Sequence, residues 1–538
     1  MMNSKSHRRI QTQNRPFDFK ELNQHPGLLT NRDQKGRRKT VIIVGGGIAG
    51  LTSAYELKKL GHEVVILEAF NRTGGRIKSH YFNDGTHAEL GAMRIPAQHF
   101  CTLHYVKEFN LHSRRFVNHN PDAYYYLREK KVRIGSHRKL ASNYNLSLDE
   151  YQSPFRWYEN IMKELIMSLS TSEKWEMFSK TLSSPTLLKY NAISFWQYVK
   201  EHLSPEAFEF VGQATGMIQY EKASLLEVLI DYFGLFRVDQ YELVGGMETL
   251  VKALTARLPG ITQYNAKVTA LEMTDTGVRV HWNRFGKKII QESDYVICTV
   301  PLPALSKIDF QPALPARKLQ AIRGVNYASS AKTIFHCQAR PWEFNDGIYG
   351  GGSFTDLPIQ QCWYPSDNAK PADNNTLTGF TGDDKLQNSE APQHWIARNP
   401  DLSYSPGTFT ASYLWENNAR RFLALSQQER TDSVLLNIQK LHPQIEDHVD
   451  DIVHWSWDEQ SSPGCGAFAY FAPGEHERYQ KLLCDPYPLE NPRVFFAGEH
   501  LSIAHAWIQG AIQTGLAATI NVLQAPAPAK SNLERLAS

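Results

Sequence analysis

A glycine-rich turn between a short apolar run and a helical pattern restricts the fold of this chain more than any other feature of its sequence. The run Val41–Val44 is typical of a buried parallel strand, and Gly45, Gly47 and Gly50 follow it with the spacing G-x-G-x-x-G. A second strand-like run ends at Glu68, eighteen residues after Gly50. This succession of strand, turn, helix, strand and acid predicts a Rossmann-like dinucleotide-binding domain.

The three glycines and Glu68 have distinct roles in such a domain. Gly45 permits the tight turn, Gly47 lets the backbone approach the pyrophosphate, and Gly50 lets the helix pack closely on the strand. The N–H groups at the start of the helix face the phosphates, and the Glu68 carboxylate accepts hydrogen bonds from a ribose. A turn of this type without a ligand is the alternative, but the flanking strands and the acid favour the dinucleotide site.

Composition and charge exclude several classes of protein. The 538 residues are 42% hydrophobic and 21% charged, which excludes fibrous, disordered and disulfide-scaffold proteins and leaves room for two or three domains. Lys and Arg exceed Asp and Glu by only 58 to 55, so we expect no nucleic acid and no membrane as a partner. No run of about 18 apolar residues and no signal-peptide pattern is visible, and the six cysteines are scattered. These features predict a cytoplasmic protein.

Changes of pattern along the chain predict a mixed α/β (α+β) fold. Residues 155–240 combine helical spacing with many aromatic side chains, whereas strand-like patterns prevail on either side. We therefore expect a basic, flexible or loosely docked N-terminal extension, a dinucleotide-binding domain in three parts, a helical insertion, a β-rich substrate domain and a C-terminal tail. Their predicted bounds are, in that order, residues 1–39; 40–140, 241–325 and 451–525; 141–240; 326–450; and 526–538.

Three later motifs narrow the type of dinucleotide. They are GGR at residues 74–76, ELGAMRIP at residues 89–96 and FAGE at residues 496–499, just before a final helical pattern that starts near Ala506. With the N-terminal unit they occur in the order of the flavin amine oxidase family, which nearly the whole chain resembles. The GAMRIP sequence is similar to the L-amino-acid oxidase branch rather than to the monoamine or polyamine oxidases. The resemblance implies FAD as the cofactor, in a Rossmann-like domain of the amine oxidase type.

The resemblance also implies which residues hold FAD. The glycines of the turn and Glu68 would hold its ADP half, Arg76 would lie near the pyrophosphate and the flavin, and Glu499 would hydrogen-bond the ribityl or pyrophosphate part. The backbone of Val268 would meet the adenine, and the N-terminal end of the last helix would stabilise negative charge on the reduced flavin. The predicted set is Gly45, Gly47, Ile48, Ala49, Gly50, Glu68, Ala69, Gly75, Arg76, Gly91, Ala92, Met93, Arg94, Val268, Trp455, Gly498, Glu499, Trp507 and Ile508.

Four catalytic residues are implied in the same way: Arg94, Lys332, Tyr413 and Trp507. Arg94 would bind the substrate carboxylate, because a planar, always charged guanidinium orients it through paired N–H donors; a structural ion pair is the alternative. Tyr413 resembles the tyrosine that completes this clamp, although the Glu-Asn-Asn soon after it departs from the family pattern, and an ordinary strand tyrosine is the alternative. Lys332 matches the lysine that holds a water beside the flavin.

Aromatic walls and one backbone carbonyl complete the implied substrate site. Trp455 and Trp507 would form walls beside the ring and the substrate, although core packing is the alternative for either tryptophan alone. The carbonyl of Ala506 would accept from the substrate amine. The family often has glycine at this position, and the difference matters if the conformation needs a positive φ.

The side-chain pocket of the substrate is expected to involve the helical insertion near Asp231 and the strand near Trp363. Asp231 suits a basic amino acid, whereas Trp363 and Phe233 suit a large apolar one, so the preferred side chain stays open. Cys465 lies near the position at which monoamine oxidases link the flavin covalently. Its shifted spacing predicts an unlinked residue.

The implied function is oxidative deamination of L-α-amino acids, with hydride transfer from the substrate Cα to flavin N5. The products would be a 2-oxo acid, ammonia and, after reoxidation by O2, hydrogen peroxide. Three alternatives stay open: a flavin monooxygenase that converts the same amino acids to amides, an amine or polyamine oxidase, and a flavin-binding protein without turnover. The predicted partners are the amino acid and O2, the resemblance implies a homo-oligomer, and no metal-binding spacing is visible.

Overall fold

Two large sheets and a group of helices make up the structure, a computed structural model. It describes residues 17–26, 38–150, 152–217, 221–233, 239–372, 394–459 and 466–526. The predicted mixed α/β fold is confirmed, since a parallel sheet covered by helices accompanies a separate and larger mixed sheet. None of the helices in these residues is both long and apolar enough to cross a membrane.

The parallel sheet contains the predicted dinucleotide-binding unit. Its five strands are hydrogen-bonded in the order Thr262–Gln263, Glu63–Leu67, Thr40–Val44, Tyr295–Cys298 and Val494–Phe496. Alternate side chains of the central strand point to opposite faces of the sheet, and both faces are covered. Val41 and Ile43 pack against helices, whereas Ile42 and Val44 pack toward a four-stranded sheet.

The helices on the first face and the strands on the second come from distant parts of the chain. The helices are Ile48–Lys59, Phe100–Glu108, Glu248–Ala256 and Ile508–Gln524. The four-stranded sheet has the order Lys287–Ser293, Gly277–Arg284, Lys267–Thr274 and Asp309–Gln311. The parallel sheet and its two covering layers thus pack together, although their segments lie far apart in sequence.

The last helix begins at Ile508, two residues after the predicted start, because Trp507 has an extended backbone and occupies the N-cap position. Its other end is bound by a buried lysine. Lys39 Nζ donates to the carbonyls of Val522, Leu523 and Ala525 at 2.6, 2.9 and 2.9 Å. A cation at the negative end of a helix stabilises it, so Lys39 ties the start of the first strand to the end of the last helix.

The N-terminal extension is docked where the structure describes it, which corrects the expectation of a loose segment. Residues 19–23 form a short helix, and the carbonyl of Leu22 accepts from Gln513 Nε2 at 2.9 Å. The Phe17 ring lies 5.1 Å from that of Trp175 and 5.2 Å from that of Phe233. These contacts are made by side chains far away in sequence, so the local composition of the extension gave no sign of them.

The second large sheet is mixed and has seven strands. Their order is Val449–Ser456, Ser330–Cys337, Gly407–Trp415, Gln361–Tyr364, Gly351–Thr355, Tyr124–Leu127 and Lys130–Arg133. The strand Ser330–Cys337 is buried along its whole length and pairs with both of its neighbours in antiparallel fashion. This pairing places Lys332 directly opposite Tyr413.

The strands at one edge of this sheet correct the predicted domain bounds. Tyr124–Leu127 and Lys130–Arg133 fall in the segment assigned to the dinucleotide-binding domain, but they pair into the large sheet through Gly351–Thr355. A strand pattern shows that a segment is extended and does not show which sheet it joins. The remaining bounds of the division stay a prediction.

Residues 154–231 are largely helical, and local signals account for the helix starts. Serines cap several of them through hydrogen bonds to N–H groups of the first turn, and proline stands at the first position of three, two of which also have a serine cap. The helices are Pro154–Ser168, Thr171–Glu176, Pro185–Ala192, Phe195–Lys200, Pro205–Thr215 and Leu225–Asp231. Their apolar faces share one core with Trp415 of the seven-stranded sheet and Tyr470 of a small two-stranded sheet, which attaches this region to both of these sheets.

Short elements connect these parts. Small sheets pair Ile95–Pro96, Gln240–Leu243 and Ser113–Phe116; Ser79–Tyr81 and His87–Glu89; Asn326–Tyr327 and Ala469–Tyr470; and Ala369–Pro371 and Trp395–Ala397. Further α-helices are Phe19–Asn23, Leu302–Leu305, Ala316–Gly324, Pro341–Phe344, Glu416–Leu423, Gln427–Ile438 and Glu475–Cys484. Helices of the 3-10 type are Ile134–Tyr144, Leu148–Glu150, Pro400–Tyr404, Ile445–His448 and Glu499–Leu501.

Candidate active site

A cavity of about 770 Å³ runs between the parallel sheet and the seven-stranded sheet. Its size is typical of sites for small molecules and cofactors. Two helices, Ile48–Lys59 and Ile508–Gln524, begin at its wall. Neither has a side-chain cap or an acidic residue in its first turn. Both positive helix ends are therefore available to an anionic ligand.

The glycine-rich turn has the geometry that the sequence predicts. Gly45 has φ +106°, which a side chain would strain. A Cβ on Gly50 would lie 2.1 Å from the carbonyl oxygen of Gly45, so glycine is required for the helix to pack on the turn. Gly47 lines the cavity, and a Cβ there would meet no atom within 4 Å. The backbone at Gly47 is thus left open for close approach by a ligand.

Glu68 lies at the end of the next strand and lines the same part of the cavity as Ala69 and Val268. Its two carboxylate oxygens accept from the N–H groups of Gly46 at 2.6 Å and Phe70 at 2.9 Å, which fix the orientation of the side chain. Burial raises its pKa above the ordinary value for glutamate. Each oxygen keeps a further lone pair that can accept from a ribose hydroxyl.

An ion pair joins two of the motifs across the cavity wall. Arg76, after two glycines with positive φ, donates to Glu499 Oε1 at 2.7 Å and to the carbonyl of Ala467 at 3.0 Å. Burial by itself raises the pKa of Glu499, but the charge of Arg76 together with nearby histidines and the N–H of Ala506 outweighs it and holds that pKa below the ordinary value. Arg72, which the sequence did not single out, supports the turn by donating to the carbonyl of Gly75 at 2.5 Å.

The residues at this end fit the predicted FAD. An open glycine backbone and a bare helix N-terminus suit a pyrophosphate, an oriented carboxylate suits a ribose, and a paired arginine adds positive charge. Gly50 and Trp455 do not line the cavity; every other member of the predicted cofactor set does. Gly50 acts through helix packing, as its position in the motif predicts.

Arg94 stands at the opposite end of the cavity, surrounded by aromatic rings. Its guanidinium carbon lies 5.4 Å from the ring centre of Trp363, 5.7 Å from that of Phe116 and 6.0 Å from that of Trp507. Its Nη1 donates to Asn118 Oδ1 at 2.7 Å. Aromatic faces attract the cation and an amide orients it, so the fork is held in place within the cavity.

Lys332 is buried beside Arg94 and is held by backbone carbonyls. Its Nζ donates to the carbonyl oxygens of Glu89 at 2.9 Å and Gly91 at 3.0 Å, and lies 4.6 Å from the ring centre of Tyr413. Burial lowers the pKa of Lys332 to about 7, although the charge of Glu89 opposes the change. This lysine therefore gains or loses its proton near neutral pH.

Strand pairing brings the aromatic walls together. Gln361 is opposite Tyr413 in the large sheet, and Gln361 Oε1 accepts from Trp363 Nε1 at 3.1 Å. Tyr413, Gln361, Trp363 and Trp415 all line the cavity. Burial raises the pKa of Tyr413, so its hydroxyl stays protonated and able to donate.

Ala506 and Trp507 close the cavity on the side of the last helix. Ala506 has φ +70°, a conformation that favours glycine, and its N–H donates to Glu499 Oε2 at 3.0 Å. The glycine-to-alanine difference noted in the sequence therefore does matter. The Trp507 ring meets the ring of His99 edge-on at 5.0 Å, and its Nε1 donates to Asp231 Oδ1 at 2.7 Å.

Two predicted positions are corrected by the structure. Trp455 packs with Leu90 and Ile334 and does not itself line the cavity, whereas Trp457 does. The strand ends at Ser456, so the alternation that would place residues 455 and 457 on the same face does not continue. Asp231 does not line the large cavity, because its carboxylate is engaged by Trp507.

Phe233 and Cys465 are the remaining residues that the sequence singled out. Phe233 does not line the large cavity; it packs with the helices and Phe17. Cys465 lies outside the described residues. Asn118 and Phe468 belong to the site or its wall but were not predicted, since neither lies in a recognisable motif.

A dinucleotide cradle that opens onto a partly buried guanidinium and aromatic walls defines the class of this protein as a dinucleotide-dependent oxidoreductase. The family model for flavin containing amine oxidoreductase matches residues 48–523. The chain therefore belongs to the flavin containing amine oxidoreductases, which confirms the predicted family and its flavin cofactor, FAD.

Individual relatives agree with this assignment. The chain is 29% identical to an L-amino-acid oxidase of Vipera ammodytes ammodytes over 90% of its own length and 93% of the relative, and 30% identical to one of Cerastes cerastes over 91% and 88%. Its fold is similar to those of putrescine oxidase (TM-score 0.65, 20% identity) and the cyclohexylamine oxidase of Brevibacterium oxydans (TM-score 0.68, 17% identity). These structures are covered to 99%, and they cover 90% and 91% of this chain.

Proposed function

We propose that this protein oxidatively deaminates L-α-amino acids to 2-oxo acids, ammonia and hydrogen peroxide. One observation carries the proposal: Arg94, a fixed guanidinium among aromatic rings, lies in the same cavity as the dinucleotide cradle. A substrate that carries a carboxylate is what such a group binds. The names of the relatives from Vipera and Cerastes support the same reaction.

The chain's own residues bind and orient the substrate. Arg94 binds the carboxylate, and the Tyr413 hydroxyl donates to it from the adjoining strand. Trp363, Trp457 and Trp507 exclude water from the cavity, which strengthens the interaction between the two charges. The glycine-rich turn, Glu68 and Arg76 would hold FAD, which would supply the hydride acceptor and the route of the electrons to O2.

The substrate amine must lose a proton before it can be oxidised. Above about pH 7 Lys332 is uncharged, so it does not repel the ammonium group and can accept a proton from it, directly or through a water. Ala506 lines the large cavity on the side of the last helix, and its carbonyl is assigned as the acceptor for the amine. Binding, orientation and proton removal are thus assigned to side chains of different elements.

An assay of products across substrates tests the proposal. The purified holoprotein is incubated with each L-amino acid, the matching D-amino acids and simple amines, and peroxide, ammonia and organic products are quantified. We expect equal amounts of peroxide and ammonia, together with 2-oxo acids, from L-amino acids alone. Amides in place of 2-oxo acids would show the monooxygenase alternative, and turnover of amines without a carboxylate would show the amine oxidase alternative.

The cellular setting and assembly remain part of the proposal. Among the described residues, Cys101, Cys298, Cys337, Cys362 and Cys484 form no disulfide, which supports a reducing, cytoplasmic location. The amino acid and O2 are the expected partners, while the homo-oligomer and the lack of a nucleic-acid partner stay predictions.

A further inference from the structure

Two acids of one helix bind the segment just before the last helix. On Leu225–Asp231, Glu227 Oε1 accepts from His505 Nδ1 at 2.7 Å, and Asp231 Oδ1 accepts from Trp507 Nε1 at 2.7 Å. Residues four apart lie on the same face of a helix, so both carboxylates point toward one segment. The helical region therefore holds the residues on either side of Ala506.

Ala506 needs this support because its backbone is strained. An alanine at φ +70° costs roughly 1 kcal/mol, and such a conformation persists where the surroundings determine it. The hydrogen bond of its N–H to Glu499 Oε2 is the third anchor of the segment. With both neighbouring side chains bound and its own N–H engaged, Ala506 has little freedom to return to an extended conformation.

Asp231 reaches the large cavity through Trp507 and not directly. It borders a separate cavity of about 10 Å³ together with Glu227, His505 and Ala506, while the Trp507 indole lines the large cavity. The indole is also contacted edge-on by His99 and lies 6.0 Å from the Arg94 guanidinium. A change in the indole orientation would therefore alter the wall next to the carboxylate-binding group.

We propose that Asp231 is a positioning residue: it fixes the indole of Trp507, and with it the wall beside Arg94, for every substrate regardless of side chain. The inference rests on the proposed function and deepens it, because it assigns the helical region a role in catalysis. It also differs from recognition of a basic side chain by Asp231, which was one of the two options that the sequence left open.

Three variants of the holoenzyme test this role. Asp231→Asn keeps an oxygen that accepts from the indole, Asp231→Leu removes it at similar size, and Glu201→Gln removes an exposed charge of the same helical region as a control. For L-lysine, L-leucine and L-phenylalanine alike, we expect Asp231→Leu to lower kcat/KM about ten-fold, as loss of one hydrogen bond to a charged group does. Asp231→Asn should stay within about three-fold of wild type, and the control should be unchanged.

A double-mutant cycle with Trp507→Phe isolates the contact, because phenylalanine lacks the N–H. In that background Asp231→Leu should have almost no further effect on kcat/KM. A full ten-fold effect in the Trp507→Phe background would overturn the proposal. A loss confined to L-lysine in Asp231→Asn would overturn it as well, since it would place the carboxylate on the substrate side chain.

A measurement without turnover separates this inference from the proposed function. Phenylacetate, a carboxylate without an amine, is titrated into each holoprotein while the visible flavin spectrum is followed. A weaker affinity in Asp231→Leu than in Asp231→Asn supports positioning even if no amino acid is oxidised, and equal affinities would contradict it. If Asp231→Leu does not fold, the comparison of Asp231→Asn with Trp507→Phe across the three amino acids decides the question in the same way.

Discussion

The two ends of the large cavity are built in different ways. The dinucleotide end consists mostly of backbone and of residues close in sequence: the turn at Gly45, the acid Glu68 and the start of one helix. The substrate end consists of side chains from separate elements: Asn118 orients Arg94, and Lys332 and Trp507 are held by partners 243 and 276 residues away in sequence. A backbone cradle depends on where a Cβ fits, whereas a side-chain site depends on hydrogen bonds that fix each group.

This difference separates the consequences of mutation. At the dinucleotide end, an added methyl group disrupts the fold where it meets the backbone, because backbone atoms cannot move aside. Where it faces the cavity, it disrupts binding of the cofactor. At the substrate end a replaced side chain removes one function and leaves the cavity in place. The following predictions test this contrast.

The largest effects are expected at Gly47 and Gly50 of the glycine-rich turn, and the two effects should differ in kind. Gly50→Ala would bring a methyl group to 2.1 Å from the Gly45 carbonyl, so we expect no folded holoprotein. Gly47→Ala meets no protein atom within 4 Å, so the protein should fold but bind FAD at least about ten-fold more weakly, a loss of ~1.4 kcal/mol. Circular dichroism reports folding, and titration of the apoprotein with FAD reports affinity. Tight FAD binding by Gly47→Ala would contradict the assignment of the cradle.

Loss of the guanidinium should affect substrate and not cofactor. Arg94→Ala should lower kcat/KM about 10³-fold, roughly 4 kcal/mol, because a buried carboxylate loses its charged partner. The visible flavin absorption should be unchanged. Arg94→Lys should recover part of the lost activity, because lysine keeps the positive charge but lacks the paired N–H donors of the guanidinium. Arg138 is exposed, so Arg138→Ala serves as the control. Wild-type kinetics in Arg94→Ala would remove the carboxylate clamp.

Lys332 should impose a pH dependence on catalysis. Its pKa in the folded protein is lowered from 10.5 to about 7, so the side chain is charged below that pH and neutral above it. If the neutral form accepts the substrate proton, kcat/KM rises as pH increases through about 7. Lys332→Met should lower kcat about 10²-fold and abolish this inflection. A profile of kcat/KM from pH 5 to 10 in both proteins measures it, and an unchanged inflection in Lys332→Met would assign it to another group.

The smallest effect is expected at Ala506. Ala506→Gly relieves the strain of φ +70° and should stabilise the protein by about 0.5–1 kcal/mol, raising the thermal unfolding midpoint by roughly 1–2 °C. The neighbouring Ala504→Gly, at a position without a positive φ, should be neutral or destabilising. A lower midpoint in Ala506→Gly than in Ala504→Gly would show that the segment is not strained.

The sequence predictions held where a short motif carries its own geometry. The turn at Gly45, the helix packing at Gly50 and the position of Glu68 follow from local spacing, and the structure shows each of them. Trp455 was predicted as a wall of the cavity, and the structure has Trp457 there, because nothing in the local pattern shows where the strand ends. Asp231 was predicted to lie in the substrate pocket. Its hydrogen bond to Trp507 was missed because that partner lies 276 residues away in sequence.

The amino-acid sequence alone specified the dinucleotide cradle and the mixed α/β fold, because strand and helix periods and the demands on glycine act within a few residues. The cofactor type followed from the resemblance of its motifs to the flavin amine oxidase family. The folded structure was needed to show that Lys332 lies opposite Tyr413, that Asn118 orients Arg94, and that Asp231 binds Trp507. Those relations arise from strand register and helix packing between remote segments. Local sequence carries no record of them, because the free energy that selects them comes from burial and hydrogen bonding of the assembled whole.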